Sequence, residues 1–492
     1  MDPGREGDDA LGPDPAGRDA LGLDPAGGDA LGLDPELMRE LGYWVVDRVI
    51  EHATGVGEGP AIRADTPENL RAALGGPLPE KPGDARQALL ALSETALANM
   101  QHIDHPRYFA RVPGPSSFAG ILGDWLGTGF NAIATSWAGG SGPTMIELIV
   151  IEWLAQLIGL PAGGDGVLVS GGSMANLTAL AAARHVRGAG VAYLCDQAHA
   201  SIPRGLAAIG FAPHQVRTVA ADGNLRLNVD ALMTAIATDR ADGHTPRFVI
   251  ASAGTTNTGA VDPLPELADL CAAEGLWLHV DGAYGAPAAM CAAGRRDLAG
   301  LDRADSLVLD PHKWLFQPID CGCLFVRHAG VLDQAFGMDP EYLRDVRAAG
   351  AEVDLRNRTL ELTRRSRALK LWLTLRIHGA DHLRRAAGRG IALAEYAEEL
   401  LRADPVWEIV TSAQLGIVTF ALRGASASDH AARAAALAAD GFAAVSSTIL
   451  AGRTVLRLCT INPSTTEQDI AETLRRLTDD PGPQRPVPGV AV

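Results

Sequence analysis

Lysine is nearly missing from this chain. Of 492 residues only Lys81, Lys313 and Lys370 carry an ε-amine, and arginine supplies the rest of the fixed positive charge. Chemistry that needs a reactive amine therefore has three places to reside. Cysteine is sparse too: Cys195, Cys271, Cys291, Cys321, Cys323 and Cys459 show neither CxxC nor paired spacing, which argues against a zinc site or a disulfide framework. HExxH and similar histidine spacings are absent, so no metal is expected. The formal net charge is -17, and such a chain lacks the basic face that a nucleic-acid partner requires. No uninterrupted apolar run reaches the roughly 18 residues of a membrane span, and no basic-then-apolar leader is present. A cytoplasmic location and no membrane partner are the expectation.

What is present belongs to a core-forming protein: 47% hydrophobic and 21% charged residues, in a length that suggests two or three domains. Residues 1–35 repeat DALGPDPAGR, DALGLDPAGG and DALGLDPELM, too rich in Gly, Pro and Asp to bury a core, so a disordered tail is expected. From Asp34 the pattern becomes helical, with Pro35 at the first turn and Met38, Leu41, Val45, Val46, Val49 and Ile50 on one face. A second amphipathic stretch near Gln87–Met100 completes a helical N-terminal region over 36–117. Over 118–370, strand-like runs at Val167–Ser170, Val191–Cys195, Phe248–Ser252, Leu276–Asp281, Ser306–Asp310 and Cys321–Val326 alternate with helical ones. That alternation predicts an α/β domain with a mostly parallel sheet, whose ligands sit beyond the carboxyl ends of the strands. A small α+β domain is expected over 371–480, with strands at Gly416–Leu422 and Val455–Ile461, and a loose tail over 481–492.

The strand ends carry the chemistry. VLVSGGSMANLTAL runs into Gly171, Gly172 and Ser173 and then a helix, a place where backbone N–H groups can meet a phosphate. It lacks GxxxxGK[ST], so it is no nucleotide P-loop. YLCDQAHAS puts His199 just past a strand. LWLHVDGAYG ends an apolar strand on Asp281, a carboxylate with no lysine nearby, so a ligand cation is a reasonable partner. LVLDPHKWLF places His312 and Lys313 beyond another strand. Lys81 lies in a turn-like EKPGD and Lys370 in an amphipathic helix, which leaves Lys313 as the reactive amine. A phosphate, an aromatic ring with a protonatable nitrogen and an aldehyde would satisfy all these groups, and pyridoxal 5'-phosphate (PLP) carries the three.

With DPHKW, DQAH, HVDGAY and SGGS together, the chain resembles the group II PLP-dependent amino-acid decarboxylases, typified by aromatic-L-amino-acid decarboxylase. The likeness runs from about Asp34 to Leu477. It implies the PLP-dependent transferase type I (aspartate-aminotransferase-like) fold, with a seven-stranded, mostly parallel sheet, and a homodimer with active sites at the interface and dimer contacts from the 36–117 region. It implies that Lys313 forms the Schiff base, Asp281 keeps the ring nitrogen protonated, and His199 and Ala283 cover the two ring faces. Gly171, Gly172, Ser173 and His312 would lie by the phosphate and Thr256 near the substrate side. Loss of CO2 from an L-amino acid would pass through a quinonoid, protonated by Tyr342 from a loop spanning about His328–Val353, to give an amine. Arg356 is implied as a substrate or interface contact.

The family's aromatic pocket positions here read Ile103, Arg111, Val112, Gly114, Ile133 and Thr135. Ring stacking worth about 0.5–1.5 kcal/mol per pair is thereby lost, so the expected substrate is not a standard aromatic amino acid. A small aliphatic one, or one with a polar side chain reaching Arg111, is expected instead. Asp310 stands where aromatic members have asparagine near the phosphate, and its carboxylate is expected to point away. The alternative activity is another type I PLP reaction: aldehyde-forming oxidation, carbon–carbon lysis or transamination.

Overall fold

The computed structural model describes residues 32–338, 340–346 and 348–479; the decapeptide repeat through residue 31 and the tail from 480 onward lie outside the described residues. Among the described residues, one compact unit comprises those up to His102 with Ala435–Ala443, and the other comprises Ile103–Ala434 with residues 444–479. The N-terminal region was expected to reach 117. Residues 103–117 instead group with the second unit, because the Phe109 N–H donates to Ala444 O and the Cys459 N–H donates to Phe109 O.

In the first unit, Asp34 caps the helix Pro35–Gly55 by accepting from the Glu36 N–H at 2.9 Å, as its sequence predicts. None of that helix is buried, and Met38, Tyr43 and Ile50 of it are exposed. The second stretch is a short helix, Ala85–Leu90, continuing in a wider π-type turn to Ala96.

The second unit holds a seven-stranded sheet of β1 (Asp165–Val169), β2 (Val191–Cys195), β3 (Val216–Val219), β4 (Pro246–Ser252), β5 (Trp277–Asp281), β6 (Ser306–Leu309) and β7 (Gly322–Val326). Its order is β1-β7-β6-β5-β4-β2-β3, and β7 runs opposite to the other six strands. Six strands match the apolar runs of the sequence because all are buried, and buried parallel strands read as continuous hydrophobic stretches. The edge strand β3 is half-exposed and short, so it carries no such signal.

A second sheet of β8 (Trp407–Gln414), β9 (Ile417–Leu422), β10 (Ser446–Leu450) and β11 (Arg453–Cys459) is antiparallel throughout, in the order β10-β11-β9-β8. The central strands β9 and β11 were legible in the sequence. The edge strands β8 and β10 are half-exposed and were not.

The helix Trp137–Ile158 is long and apolar enough to cross a membrane by length and composition alone, although Glu147 and Glu152 interrupt its apolar run. Glu147, midway along it, is wholly buried and bonded to Arg364 and to the Leu168 N–H.

Candidate active site

The carboxyl ends of β1, β4, β5 and β6 open on a cavity of ≈ 350 Å3. Register explains the convergence: Ser252 on β4 faces Asp281 on β5, and Asp281 faces Val308 on β6. Gly171, Gly172, Ser173, His199, Thr256, Asp281, Ala283, His312 and Lys313 all line it. The residues predicted to hold a cofactor are thus brought together.

At one end of the cavity β1 gives way to the helix Gly172–Arg187. The first intrahelical bond runs from the Ala175 N–H to Gly171 O, which leaves the N–H groups of Gly172, Ser173 and Met174 without helical partners. The glycines are required by close approach. A Cβ on Gly172 would lie 2.8 Å from Asp310 Oδ2 and 2.9 Å from the Ala283 methyl, and one on Gly322 would lie 2.6 Å from the Gly171 backbone. His312 stands beside this turn, its Nδ1 bonded at 2.6 Å to Cys321 O. Donors converging on a glycine-lined turn at a helix start fit a phosphate group.

Asp281 accepts from Asn176 Nδ2 at 3.0 Å and from the Ala283 N–H at 3.1 Å; no lysine or arginine pairs with it among the described residues. A carboxylate held only by neutral donors and facing a cavity fits a cationic ligand group such as a protonated ring nitrogen. His199 reaches the cavity rim, its Nδ1 held by Ser201 Oγ at 2.8 Å.

Lys313 is half-buried, with Nζ 3.0 Å from Asp310 Oδ2. Asp310 therefore does not point away. The amine three residues later attracts it, and its Oδ2 abuts Gly172 while its buried Oδ1 has no hydrogen-bond partner among the described residues.

The predicted substrate residues are placed differently. Gly114 donates its N–H to Ile103 O at 2.9 Å, and a Cβ there would meet Ile103 Cδ1 at 3.1 Å and His312 O at 3.5 Å, so this pair backs onto the phosphate side. Arg111 is exposed, with φ +46°, and Val112 packs against the core. Ile133 bridges to Arg365, and Thr135 O accepts from the Arg356 N–H. Arg356 is buried, its charge met by Asp354 at 2.7 Å. Tyr342 sits on a 3-10 turn, Glu341–Val346, and is 78% exposed. None of these eight lines the cavity within the chain.

Three residues escaped the sequence reading. Asn176 and Ser201 link Asp281 to His199. Arg457 on β11 is buried and donates to Asn257 O and Arg111 O, with no carboxylate partner among the described residues. Its signal was available: an arginine flanked by leucines in VLRLC. A further cavity of ≈ 380 Å3, lined by Ile151, Leu160, Leu307 and Phe325, lies at the opposite strand ends, away from all of these groups.

A parallel sheet with a phosphate cradle, a ring-nitrogen carboxylate, a flat imidazole and a lysine amine at its carboxyl edge defines a PLP-dependent enzyme of the type I fold. Comparison with known proteins narrows the class. The model of the pyridoxal-dependent decarboxylase conserved domain matches residues 67–423. The aromatic-L-amino-acid decarboxylase of Bacillus atrophaeus is 42% identical over 455 residues, covering 90% of this chain and 95% of that protein. A phenylacetaldehyde synthase of Arabidopsis thaliana is 31% identical over 469 residues, covering 90% and 96%. The crystal structure of Oryza sativa TDC with PLP and tryptamine superposes with a TM-score of 0.86 at 28% identity, covering 91% and 98%. The chain belongs to the pyridoxal-dependent decarboxylase family. It is a PLP-dependent lyase that decarboxylates an amino acid.

Proposed function

We propose that the protein converts a non-aromatic L-amino acid to its amine and CO2, as a cytoplasmic homodimer. The observation that carries the reading is the convergence of Lys313, Asp281, His199 and the Gly171–Ser173 turn on one cavity. When bound, PLP supplies an aldehyde that takes up amines and a conjugated ring that accepts the electron pair left by departing CO2. Lys313 holds the cofactor through its amine. Asp281 would pair with a protonated ring nitrogen, and the N–H groups of Gly172 and Ser173, with His312, would hold the phosphate. His199 and Ala283 confine the ring between them, and Thr256 lies at the cavity's exposed side. Residues that hold the substrate carboxylate in a fixed orientation would select its loss over loss of the α-proton. Tyr342 Oη then donates the proton that replaces the carboxylate at the α-carbon.

Exposed Met38, Tyr43 and Ile50 on an amphipathic helix support a dimer, as does a catalytic tyrosine that stands outside its own chain's cavity. Arg111 and Arg356 are offered as substrate or interface contacts, and buried Arg457 as a source of the substrate-carboxylate contact. Ile103, Val112, Gly114, Ile133 and Thr135 supply no ring to stack on, which supports a non-aromatic side chain. A second reading, an aromatic substrate, is favoured by the 42% identity to the Bacillus atrophaeus enzyme. Aldehyde formation is favoured by the Arabidopsis relative, but the family's amine-forming pair of histidine and tyrosine is intact as His199 and Tyr342.

The test is to load the protein with PLP, offer a panel of aromatic and non-aromatic L-amino acids, and quantify amine, aldehyde, ammonia and CO2. Amine and CO2 in equal amounts from a non-aromatic substrate are expected. Ammonia with aldehyde would establish the oxidative reading, and turnover of aromatic substrates alone would overturn the substrate class.

A further inference from the structure

Beneath the cavity floor runs a continuous line of hydrogen bonds that the reaction above does not use directly. Trp277 Nε1 lies 2.9 Å from Ser306 Oγ, and Ser306 Oγ lies 2.8 Å from His279 Nδ1. His279 Nε2 lies 3.0 Å from Asn176 Oδ1. Asn176 Nδ2 lies 3.0 Å from both Ser201 Oγ and Asp281 Oδ2, and Ser201 Oγ lies 2.8 Å from His199 Nδ1. All the residues between the two ends, from Ser306 to Ser201, are buried.

Donor and acceptor rules leave this line one direction. An ionised carboxylate only accepts, so Asn176 must face Asp281 with its NH2 group and present Oδ1 to His279. Because Oδ1 only accepts, His279 Nε2 carries a proton. Burial pushes His279 down to about 4, so the ring holds that single proton and Nδ1 is bare. Among the described residues bare Nδ1 is the acceptor recorded for the Ser306 hydroxyl, whose oxygen in turn accepts from the indole. On the other branch, the Ser201 backbone N–H donates to His199 Nδ1 at 3.2 Å, and a backbone N–H can do nothing else. The Ser201 hydroxyl, accepting from Asn176, donates to the same nitrogen. No link pairs donor with donor.

We infer that Asn176 is a positioning residue that orients Asp281 and, by bonding to Ser201, whose N–H and hydroxyl fix the His199 proton on Nε2, joins the ring-nitrogen partner and the ring-covering imidazole into one unit. Nε2 has no protein partner among the described residues, so His199 meets the cavity as a donor. The consequence for the cofactor rests on the PLP reading; the tautomer does not.

The experiment is ¹⁵N NMR of the full chain labelled at histidine, with His199 assigned by the signals lost in His199→Gln. In the wild type, His199 Nε2 is expected in the protonated shift range and Nδ1 in the unprotonated range, with or without PLP. Ser306→Ala is expected to leave those shifts unchanged, because Asp281 still orients the amide. Asn176→Ala is expected to keep the tautomer, which the Ser201 backbone N–H still holds, and to weaken PLP binding about tenfold or more, the loss of a hydrogen bond to a charged group. Asn176→Asp, the same shape without N–H donors, is expected to weaken PLP binding likewise and keeps the test available should the alanine variant not fold. A wild-type proton on Nδ1, or wild-type PLP affinity in a folded Asn176 variant, would overturn the inference. A protein that takes up no PLP sinks the cofactor reading instead, and the nitrogen shifts still decide the tautomer.

Discussion

Lys370 Nζ is bonded to Asp124 Oδ2 at 3.0 Å, with its side chain wholly excluded from solvent. It also donates to Pro318 O at 2.8 Å. The deepest lysine in the chain is thus a structural one, while the reactive Lys313 is only half-buried. Burial does not distinguish them; access to the cavity does.

Sodium borohydride reduction of the PLP-loaded protein is therefore expected to fix the cofactor to Lys313 and to no other lysine, read by peptide mass. Lys313→Ala should lose the visible absorbance band and all detectable turnover. Lys370→Met should keep the band and lose only about 1–2 kcal/mol of stability, since Asp124 retains Arg365 at 2.9 Å. Cofactor fixed on Lys370 would contradict the assignment.

Glu147 and Arg364 form a pair with no solvent exposure at either side chain, 2.6 Å apart, tying the helix Trp137–Ile158 to β1 through Leu168. Arg364→Met leaves a buried carboxylate unmatched and is expected to cost about 3–5 kcal/mol in urea unfolding. The double variant Glu147→Leu/Arg364→Met should recover part of that loss. Equal losses in the single and double variants would show that the charge is not the cause.

His279 gives stability a pH dependence of known sign. Burial pushes its imidazole down to about 4, against a weaker upward pull from Asp281. Between about pH 6.5 and 4 the unfolded chain binds a proton that the folded chain refuses. Its contribution is therefore complete above about 6.5, declines as pH falls through that window and is gone below about 4, an effect on the order of 3 kcal/mol. Asp262, raised to about 6 by burial, acts in the opposite sense, losing stability as pH rises from about 4 to 6. The difference between wild type and His279→Gln isolates the histidine: the variant's urea midpoint should fall less between pH 7 and pH 5. Parallel curves would contradict the burial account.

If Tyr342 serves the cavity of a second copy, two inactive chains complement each other. Lys313→Ala and Tyr342→Phe, co-expressed, would place an intact lysine and an intact tyrosine together in one site of each mixed dimer. Recovery to about a quarter of the wild-type sites is expected from random pairing. No recovery, with mixed dimers demonstrated, would place both groups in one chain's site.

The sequence by itself determined the chemistry at the strand ends. Lys313, Asp281, His199 and the Gly171–Ser173 turn each follow a buried strand, and buried strands announce themselves as continuous apolar runs. The half-exposed β3, β8 and β10 make no such run and were invisible. Tertiary structure alone decided which polar groups meet. Asn176 and Ser201 look like ordinary helix and turn residues until the packing of the helix Gly172–Arg187 on β5 sets them between Asp281 and His199. Asp310 looked like a carboxylate to be turned away until the loop after β6 laid it against Lys313. Arg356, read from the resemblance as a substrate or interface contact, is buried against Asp354. Local pattern reports burial and periodicity, because those depend on neighbours in the chain. Charge partners depend on neighbours in space, and only the fold assigns them.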